Sequence, residues 1–523
     1  MWTSLLLCLA VAQVPLHRHD GQSAEDWFGY AVISIGDANG DGVADYAVGA
    51  PFADVTLLDE GEVSVFSGAD HSLLLRLQGE NPGDAFGWSL AAPGDVDGDG
   101  NADVLVGIPF HDGAGLNAGQ AAVFSVQSGL AIFEFFGEDL NDQFGFAVAS
   151  GGDSNGDGNQ DFLIGAPHGG RENGGYVRIH SGLDGTELGV LSGDLEDDEF
   201  GYSLAFIGDA DIDGKDDFVI GARLAKDGLG FALGSARVFS GDQGLPMFTA
   251  RGAAENVQFG SSVAAVGDLN GDGVGDVLVG APLDSDHRFQ NGSAWIFSGV
   301  DGQILAIFRG DEAGDRLGYS VAAVGEIDQD GVPDFMIGLR NAGWNGLEAG
   351  LVRVYSGLSG NPLYSLNGSG PNAWLGSALA SAGDLDGDGF PELLLGANRD
   401  DAGGNGPAGS VSVLATWKLQ LQTPVLSHSG TVLTLTVTGA SPLQPVFFLQ
   451  GLQKGVRSLA FAGWSHQVCD LMNPALGGVD LADSGGEAIL SQWITVPLIG
   501  VTAYFQSVDS ASGWFSNLRE HTF

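Results

Sequence analysis

One nine-residue motif constrains this chain more than any other feature. It is Asp37-Ala38-Asn39-Gly40-Asp41-Gly42-Val43-Ala44-Asp45, and it recurs from Asp95, Asp153, Asp209, Asp268, Glu326 and Asp384, at spacings of 58, 58, 56, 59, 58 and 58 residues. Each copy has an acid at position 1, Asp or Asn at 3, Asp at 5, Gly at 6 and an acid at 9. Oxygen-bearing side chains at alternate positions, with a glycine for the sharp turn, suit a hard divalent cation; Ca²⁺ takes about six to eight oxygen ligands. Without a cation, so many carboxylates in nine residues would repel one another. The candidate ligands are Asp37, Asn39, Asp41 and Asp45; Asp95, Asp97, Asp99 and Asp103; Asp153, Asn155, Asp157 and Asp161; Asp209, Asp211, Asp213 and Asp217; Asp268, Asn270, Asp272 and Asp276; Glu326, Asp328, Asp330 and Asp334; and Asp384, Asp386, Asp388 and Glu392.

Two blander readings compete. Asp-Gly and Asn-Gly also form plain turns, but a plain turn does not require an acid at position 9 in seven copies of seven. An EF-hand needs a bidentate Glu at position 12 and flanking helices. Position 12 here is apolar (Val48, Val106, Ile164), and the flanks are short and β-prone. The loop therefore joins two strands, and up to seven Ca²⁺ sites are expected.

The period covers more than the loop. Each unit opens with Phe-Gly or Leu-Gly, at Phe28, Phe86, Phe144, Phe200, Phe259, Leu317 and Leu375. A small-residue strand leads into the acidic loop, and a second strand ends in Gly-Ala-Pro or a variant, as at Gly49-Ala50-Pro51. A Gly-rich loop and two further strands, such as residues 61–68 and 73–77, complete the unit. Four short strands per repeat and seven repeats predict an all-β, seven-bladed β-propeller. The residue two after each Phe-Gly or Leu-Gly glycine is Ala or Ser (Ala31, Ser89, Ala147, Ser203, Ser262, Ser320, Ala378), as expected of strands crowded around an axis. Residues 16–21 lie one repeat ahead of residues 74–79, a fourth-strand slot with no blade before it. The expectation is that they complete blade seven.

Composition sets outer bounds. The 67 acidic and 19 basic residues give a formal charge of −48, which disfavours nucleic acid, since phosphate binding depends on clustered Lys and Arg. Positions 1, 3, 5 and 9 of the seven loops hold 25 of these acids, and seven Ca²⁺ would bring the charge to −34. Residues 4–12 form an apolar run ending in Ala10-Val11-Ala12, a small-x-small cleavage pattern. Residues 1–12 are read as a signal peptide, 13–417 as the propeller and 418–523 as a C-terminal β-rich, sandwich-like module. No run reaches the length of a membrane span. The protein is expected to be secreted or at the cell surface, with no nucleic-acid partner.

Phe-Gly, the acidic loop and Gly-Ala-Pro, recurring together over residues 14–417, resemble the FG-GAP repeats of the integrin α head. The resemblance implies Ca²⁺ in the hairpin between the first and second strands, on the lower face, and partner binding on the upper face. It also implies that aromatic residues around Phe-Gly (Trp27, Phe28, Tyr30, Trp88, Phe146, Tyr202, Tyr319) can cup a basic side chain of a partner. Gly221-Ala222-Arg223, Gly338-Leu339-Arg340 and Gly396-Ala397-Asn398 depart from the pattern in lacking Pro. Loop four has Ile212 and an acid pair, Asp216-Asp217, read as displaced. Loop six opens with Glu326 and loop seven closes with Glu392. These three loops are expected to hold metal less tightly.

No catalytic signature stands out: there is no Gly-x-Ser-x-Gly elbow, His-Glu-x-x-His pair or phosphate-binding glycine loop. Arg309-Gly310-Asp311 aligns with Gln78-Gly79-Glu80, so the repeat itself generates it. Asn291 and Asn367 begin glycosylation sequons. His17 and His19 share one face of the proposed closing strand, with no third ligand evident. The leading expectation is an exported, non-enzymatic, calcium-binding propeller that presents upper-face loops (51–60, 109–118, 167–174, 223–233, 283–291, 340–349, 398–408) to a protein or glycan. The alternatives are a polysaccharide lyase or hydrolase with its site at the axis, and a structural component of the cell envelope.

Overall fold

The computed structural model describes residues 15–416, apart from 242–243, 344 and 402–405, together with separate strands beyond 418. Seven four-stranded antiparallel sheets follow one another along residues 15–416 as the blades of a propeller. In blade one the strands are Ala31–Gly36, Asp45–Ala50, Glu62–Phe66 and Leu73–Gln78. Blades two to six begin at Ser89, Ala147, Phe200, Ser262 and Leu317. Blade seven takes Leu375–Gly383, Glu392–Ala397 and Ser410–Leu414 from the C-terminal side, and its fourth strand is Pro15–Asp20.

Burial varies with strand position, and sequence explains why. Second strands such as Asp103–Ile108 are buried at every residue and read as continuous apolar runs. Fourth strands such as Leu73–Gln78 are mostly exposed. Between consecutive blades lies one apolar layer. Across the closing seam, Phe28, Val32, Tyr46 and Val48 pack against Leu394, Val411 and Val413. A parallel bridge between Phe28 and Gly409 repeats there the link made between Gly61 and Phe86 one blade on.

The two glycine signatures meet across each blade boundary. A Cβ on Gly49, from Gly-Ala-Pro, would lie 2.2 Å from the carbonyl oxygen of Gly87, in the next blade's Phe-Gly. At the seam, one on Gly396 would lie 2.3 Å from that of Gly29. The small residues of the first strands share this boundary. Ser89, Ser203, Ser262 and Ser320 donate through Oγ to the carbonyls of Gly145, Gly260, Gly318 and Gly376, at 2.7–3.0 Å. At these four positions the small side chain meets the neighbouring blade's backbone.

Past residue 418, Lys418–Leu421, Thr434–Thr438 and Ala460–Phe461 form a three-stranded sheet. Val425–Ser427 pairs with Gly430–Val432, and Ala503–Val508 with Phe515–His521. Most of the module expected over 418–523, including the β-prone runs at 445–449 and 494–496, lies outside the described residues, as do the apolar run at 4–12, Cys8 and Cys469.

Candidate metal loops and axial face

Each first strand begins at Phe-Gly and ends in the acidic loop, so the two features sit at opposite ends of the blade. In loop one the Asp37 carboxylate accepts the N–H groups of Gly40 at 2.7 Å, Asp41 at 3.2 Å and Gly42 at 2.9 Å. Asp41 accepts Val43 N–H at 2.8 Å. Burial works against the Asp37 charge, but these N–H bonds outweigh it and hold the carboxyl below its ordinary range.

Position 9 has a second role that the repeat pattern did not reveal. Asp45 is fully buried, and its two oxygens accept Ala38 N–H and Gly68 N–H, each at 2.9 Å. The second bond ties the loop to the exit of the third strand. Asp161, Asp217, Asp276 and Asp334 repeat this latch onto Gly182, Gly241, Gly299 and Gly357. The signal was present as a Ser-Gly pair after most third strands (67–68, 181–182, 240–241, 298–299, 356–357).

Burial pushes the position 9 carboxyls up, with like charges in the same loop adding to the effect. Asp103, Asp276 and Asp334 rise to about 6 and Glu392 to about 8. In four loops three carboxylates converge, each offering an oxygen within 4.8 Å of the others: Asp95, Asp97 and Asp99; Asp209, Asp211 and Asp217; Glu326, Asp328 and Asp334; and Asp384, Asp386 and Glu392. In loops one, three and five position 3 is Asn, and its amide N–H bonds the position 9 carboxylate at 3.3–3.4 Å.

Loops four, six and seven, ranked lower from sequence, are thus among those that gather three carboxylates. In loop four the acid pair is not displaced. Asp217 makes the usual latch, while Asp216 accepts Asp153 N–H at 2.8 Å. In loop seven, Asp388 Oδ2 and Glu392 Oε1 are buried with no hydrogen-bond partner among the described residues. Buried carboxylate oxygens left in this way fit a bound cation.

At the other end of the blades a chain of half-buried rings runs around the axis. Trp374 meets Trp27 at 6.4 Å between centroids, and Trp27 meets Phe52 at 4.8 Å and Tyr30 at 5.9 Å. Tyr30 meets Trp88 at 4.7 Å, Trp88 meets Phe110 and Phe146 at 5.4 Å, and Phe146 meets Tyr202 at 4.9 Å. Phe28 is 6% exposed and belongs to the inter-blade core instead.

The missing prolines of blades four and six are replaced by arginines that turn onto these rings. The Arg223 guanidinium lies 3.9 Å from the Tyr202 centroid, bonds Tyr202 Oη at 2.7 Å and pairs with Glu199. Arg340 lies between Tyr319, at 4.2 Å, and Trp374, at 4.1 Å, and bonds Tyr319 Oη at 2.6 Å. Arg399 lies 4.7 Å from Trp374. Of the rings expected to cup a partner's basic group, Tyr202 and Tyr319 therefore already hold the chain's own cations.

Other sequence features are satisfied internally. Arg309 pairs with Asp286 at 2.9 Å, and Asp311 pairs with Arg353. Asn291, of the first sequon, is 1% exposed and donates to the Gly310 carbonyl at 3.0 Å. A cleft of about 400 Å³ at the seam of blades seven and one is lined by Arg18, Asp26, Asp54, Glu62 and Arg76. Arg18 pairs there with Asp400, outside the lining set, and Arg76 with Glu62; burial pushes Asp26 up to about 6.

Comparison with known proteins gives a consistent result. The FG-GAP repeat matches at residues 86–124, 144–180, 259–297 and 375–414, in blades two, three, five and seven. Integrin alpha-V of Gallus gallus is 32% identical over 213 residues, 38% of this chain and 20% of that one. Integrin alpha-5 of Xenopus laevis is 34% identical over 210 residues, 37% and 20% of the two chains. Integrin alpha pat-2 of Caenorhabditis briggsae is 30% identical over 238 residues, 40% and 19%. The chain thus spans about a fifth of the length of the curated relatives it matches.

Proposed function

From the premise that this chain carries FG-GAP repeats on a seven-bladed propeller similar to those of integrin alpha chains, we propose that it is an exported, calcium-stapled interaction module with no catalytic role. The observation that supports the reading is a division between the two ends of the blades. Carboxylates gather at one end of the first strands, and in every blade but the fifth half-buried rings or guanidiniums gather at the other. Ca²⁺ in the acidic loops holds the first hairpins and, through the position 9 latch, the exits of the third strands. The ring then presents a stiff axial face to a protein or glycan outside the cell, and extracellular calcium suits loops of modest affinity, about 10⁻⁴–10⁻³ M. Among the described residues no helix is long and apolar enough to cross a membrane.

The test is in two parts on the full chain. Isothermal calorimetry of the chelated protein should show saturable Ca²⁺ uptake at several sites that Mg²⁺ does not reproduce. An array of extracellular glycans and proteins, probed in Ca²⁺ and in EDTA, should show binding that depends on Ca²⁺. Absence of Ca²⁺ uptake refutes the stapling, and Ca²⁺ uptake without any array ligand refutes the interaction role.

A further inference from the structure

We propose that the axial face binds an acidic glycan, with Arg340 pairing to a uronate carboxylate and the rings of blades one to three stacking on the sugar faces. The inference rests on the reading of this chain as an interaction module and names the ligand class of that face.

The axial rim is divided around its circumference. Blades one to three contribute Trp27, Tyr30, Phe52, Trp88, Phe110 and Phe146, a continuous run of ring contacts with each ring half-buried. Blades four, six and seven contribute Arg223, Arg340 and Arg399 at the ends of their second strands, where blades one and two have Pro-Phe. Trp374 joins the two halves, meeting Trp27 on one side and both Arg340 and Arg399 on the other.

The three arginines are not equivalent. Arg223 donates through Nε and Nη2 to the two carboxylate oxygens of Glu199. Arg399 pairs with Glu25 at 3.9 Å, and its Nε is buried without a partner among the described residues. Arg340 donates to Tyr319 Oη and, at 3.3 Å, to Asn341 Oδ1, and pairs with no carboxylate among the described residues. Seated between two rings, with Nε and Nη1 engaged, Arg340 has Nη2 without a partner among the described residues, and a ligand carboxylate can accept from it. Trp27 meets Trp374 at 6.4 Å and Phe146 meets Tyr202 at 4.9 Å between centroids, so the aromatic run adjoins the rings that carry Arg340 and Arg223 at both its ends.

A basic side chain fits poorly, because it would meet three guanidiniums already seated on the rings. An acidic peptide would use the guanidinium edge but leave the ring belt idle. A uronate-containing glycan uses both, since a pyranose offers a flat C–H face to an aromatic ring and a carboxylate at its edge.

The experiment titrates the full chain, Ca²⁺-loaded and at about 0.15 M salt so that the net charge is screened beyond about 8 Å. The probes are a hyaluronan tetrasaccharide, the same sugar with its carboxyls methyl-esterified, and tetraglutamate. The free tetrasaccharide is expected to bind at least tenfold more tightly than either control. Arg340→Met, which keeps an unbranched side chain between Tyr319 and Trp374, should weaken it at least tenfold, and Arg340→Lys less. Trp88→Leu should weaken the sugar and leave tetraglutamate unchanged; unaltered melting temperatures confirm that the variants fold. No binding of the tetrasaccharide, equal binding of the ester, or indifference to Arg340→Met overturns the proposal. Tetraglutamate binding as tightly, with no effect of Trp88→Leu, overturns it in favour of an acidic peptide. None of these results bears on Ca²⁺ uptake or on other array ligands, so the broader reading stands or falls separately.

Discussion

Removal of calcium is the perturbation with the largest expected effect, and its size follows from the number of loops. At a free Ca²⁺ concentration ten times the dissociation constant, each site adds about 1.4 kcal/mol to the folded state. Seven occupied loops then contribute about 10 kcal/mol, comparable with a typical domain's entire stability of about 5–15 kcal/mol. The propeller spans roughly 400 residues, and unfolding entropy near about 2.1 cal/mol/K per residue gives about 0.85 kcal/mol/K. The melting temperature should therefore fall by about 12 °C in EDTA. If only the four loops that gather three carboxylates bind, the same arithmetic gives about 7 °C. Differential scanning calorimetry across a Ca²⁺ titration, with Mg²⁺ as control, separates the two cases. A shift under about 2 °C would refute the reasoning, because the buried carboxylates would then be stable without a cation and the loops would be turns only.

Further outcomes follow from particular contacts. In EDTA, stability should rise as pH falls from about 8 towards 4.5. Glu392 at about 8 and Asp103, Asp276 and Asp334 at about 6 bind protons in the folded state at pH values where the unfolded chain has released them; Ca²⁺ should reverse that slope by displacing those protons, as paired melts across pH will show. His19 acts with the opposite sign: burial and its neighbours His17 and His71 lower it to about 3, so its contribution is lost as pH falls below 6.5, and His19→Gln should steepen the acid-side rise in EDTA. Phe218→Ala empties a fully buried site against Phe206 and Phe239 and should cost about 3–5 kcal/mol in denaturant titrations. Gly107→Ala places a Cβ 2.0 Å from the Gly145 carbonyl oxygen; prying blades two and three apart should cost upwards of about 2 kcal/mol, and a melting temperature equal to that of the parent would contradict the tight blade boundary.

The blade count was legible because Phe-Gly, the acidic loop and Gly-Ala-Pro are local in sequence, and each meets a backbone requirement repeated seven times. Contacts between distant residues were less legible. The latch from position 9 to Gly68 spans 23 residues, and the carboxylate's burial is invisible in a motif that reads as uniformly acidic. Ranking loops four, six and seven below the others treated substitutions within the motif as losses. The side chains nonetheless converge, because the hairpin backbone, and not the identity of one acid, places them.

Departure from the repeat is the better guide to function at the other end of the blade. Proline fixes the backbone after the second strand in blades one, two, three and five. Arg223 and Arg340 give up that restraint, and each places a charge over a ring instead. A repeat that only had to close a ring would have no use for the exchange. Its confinement to one arc of the axis, opposite an arc of unbroken aromatic contact, is what a ligand with two different edges requires.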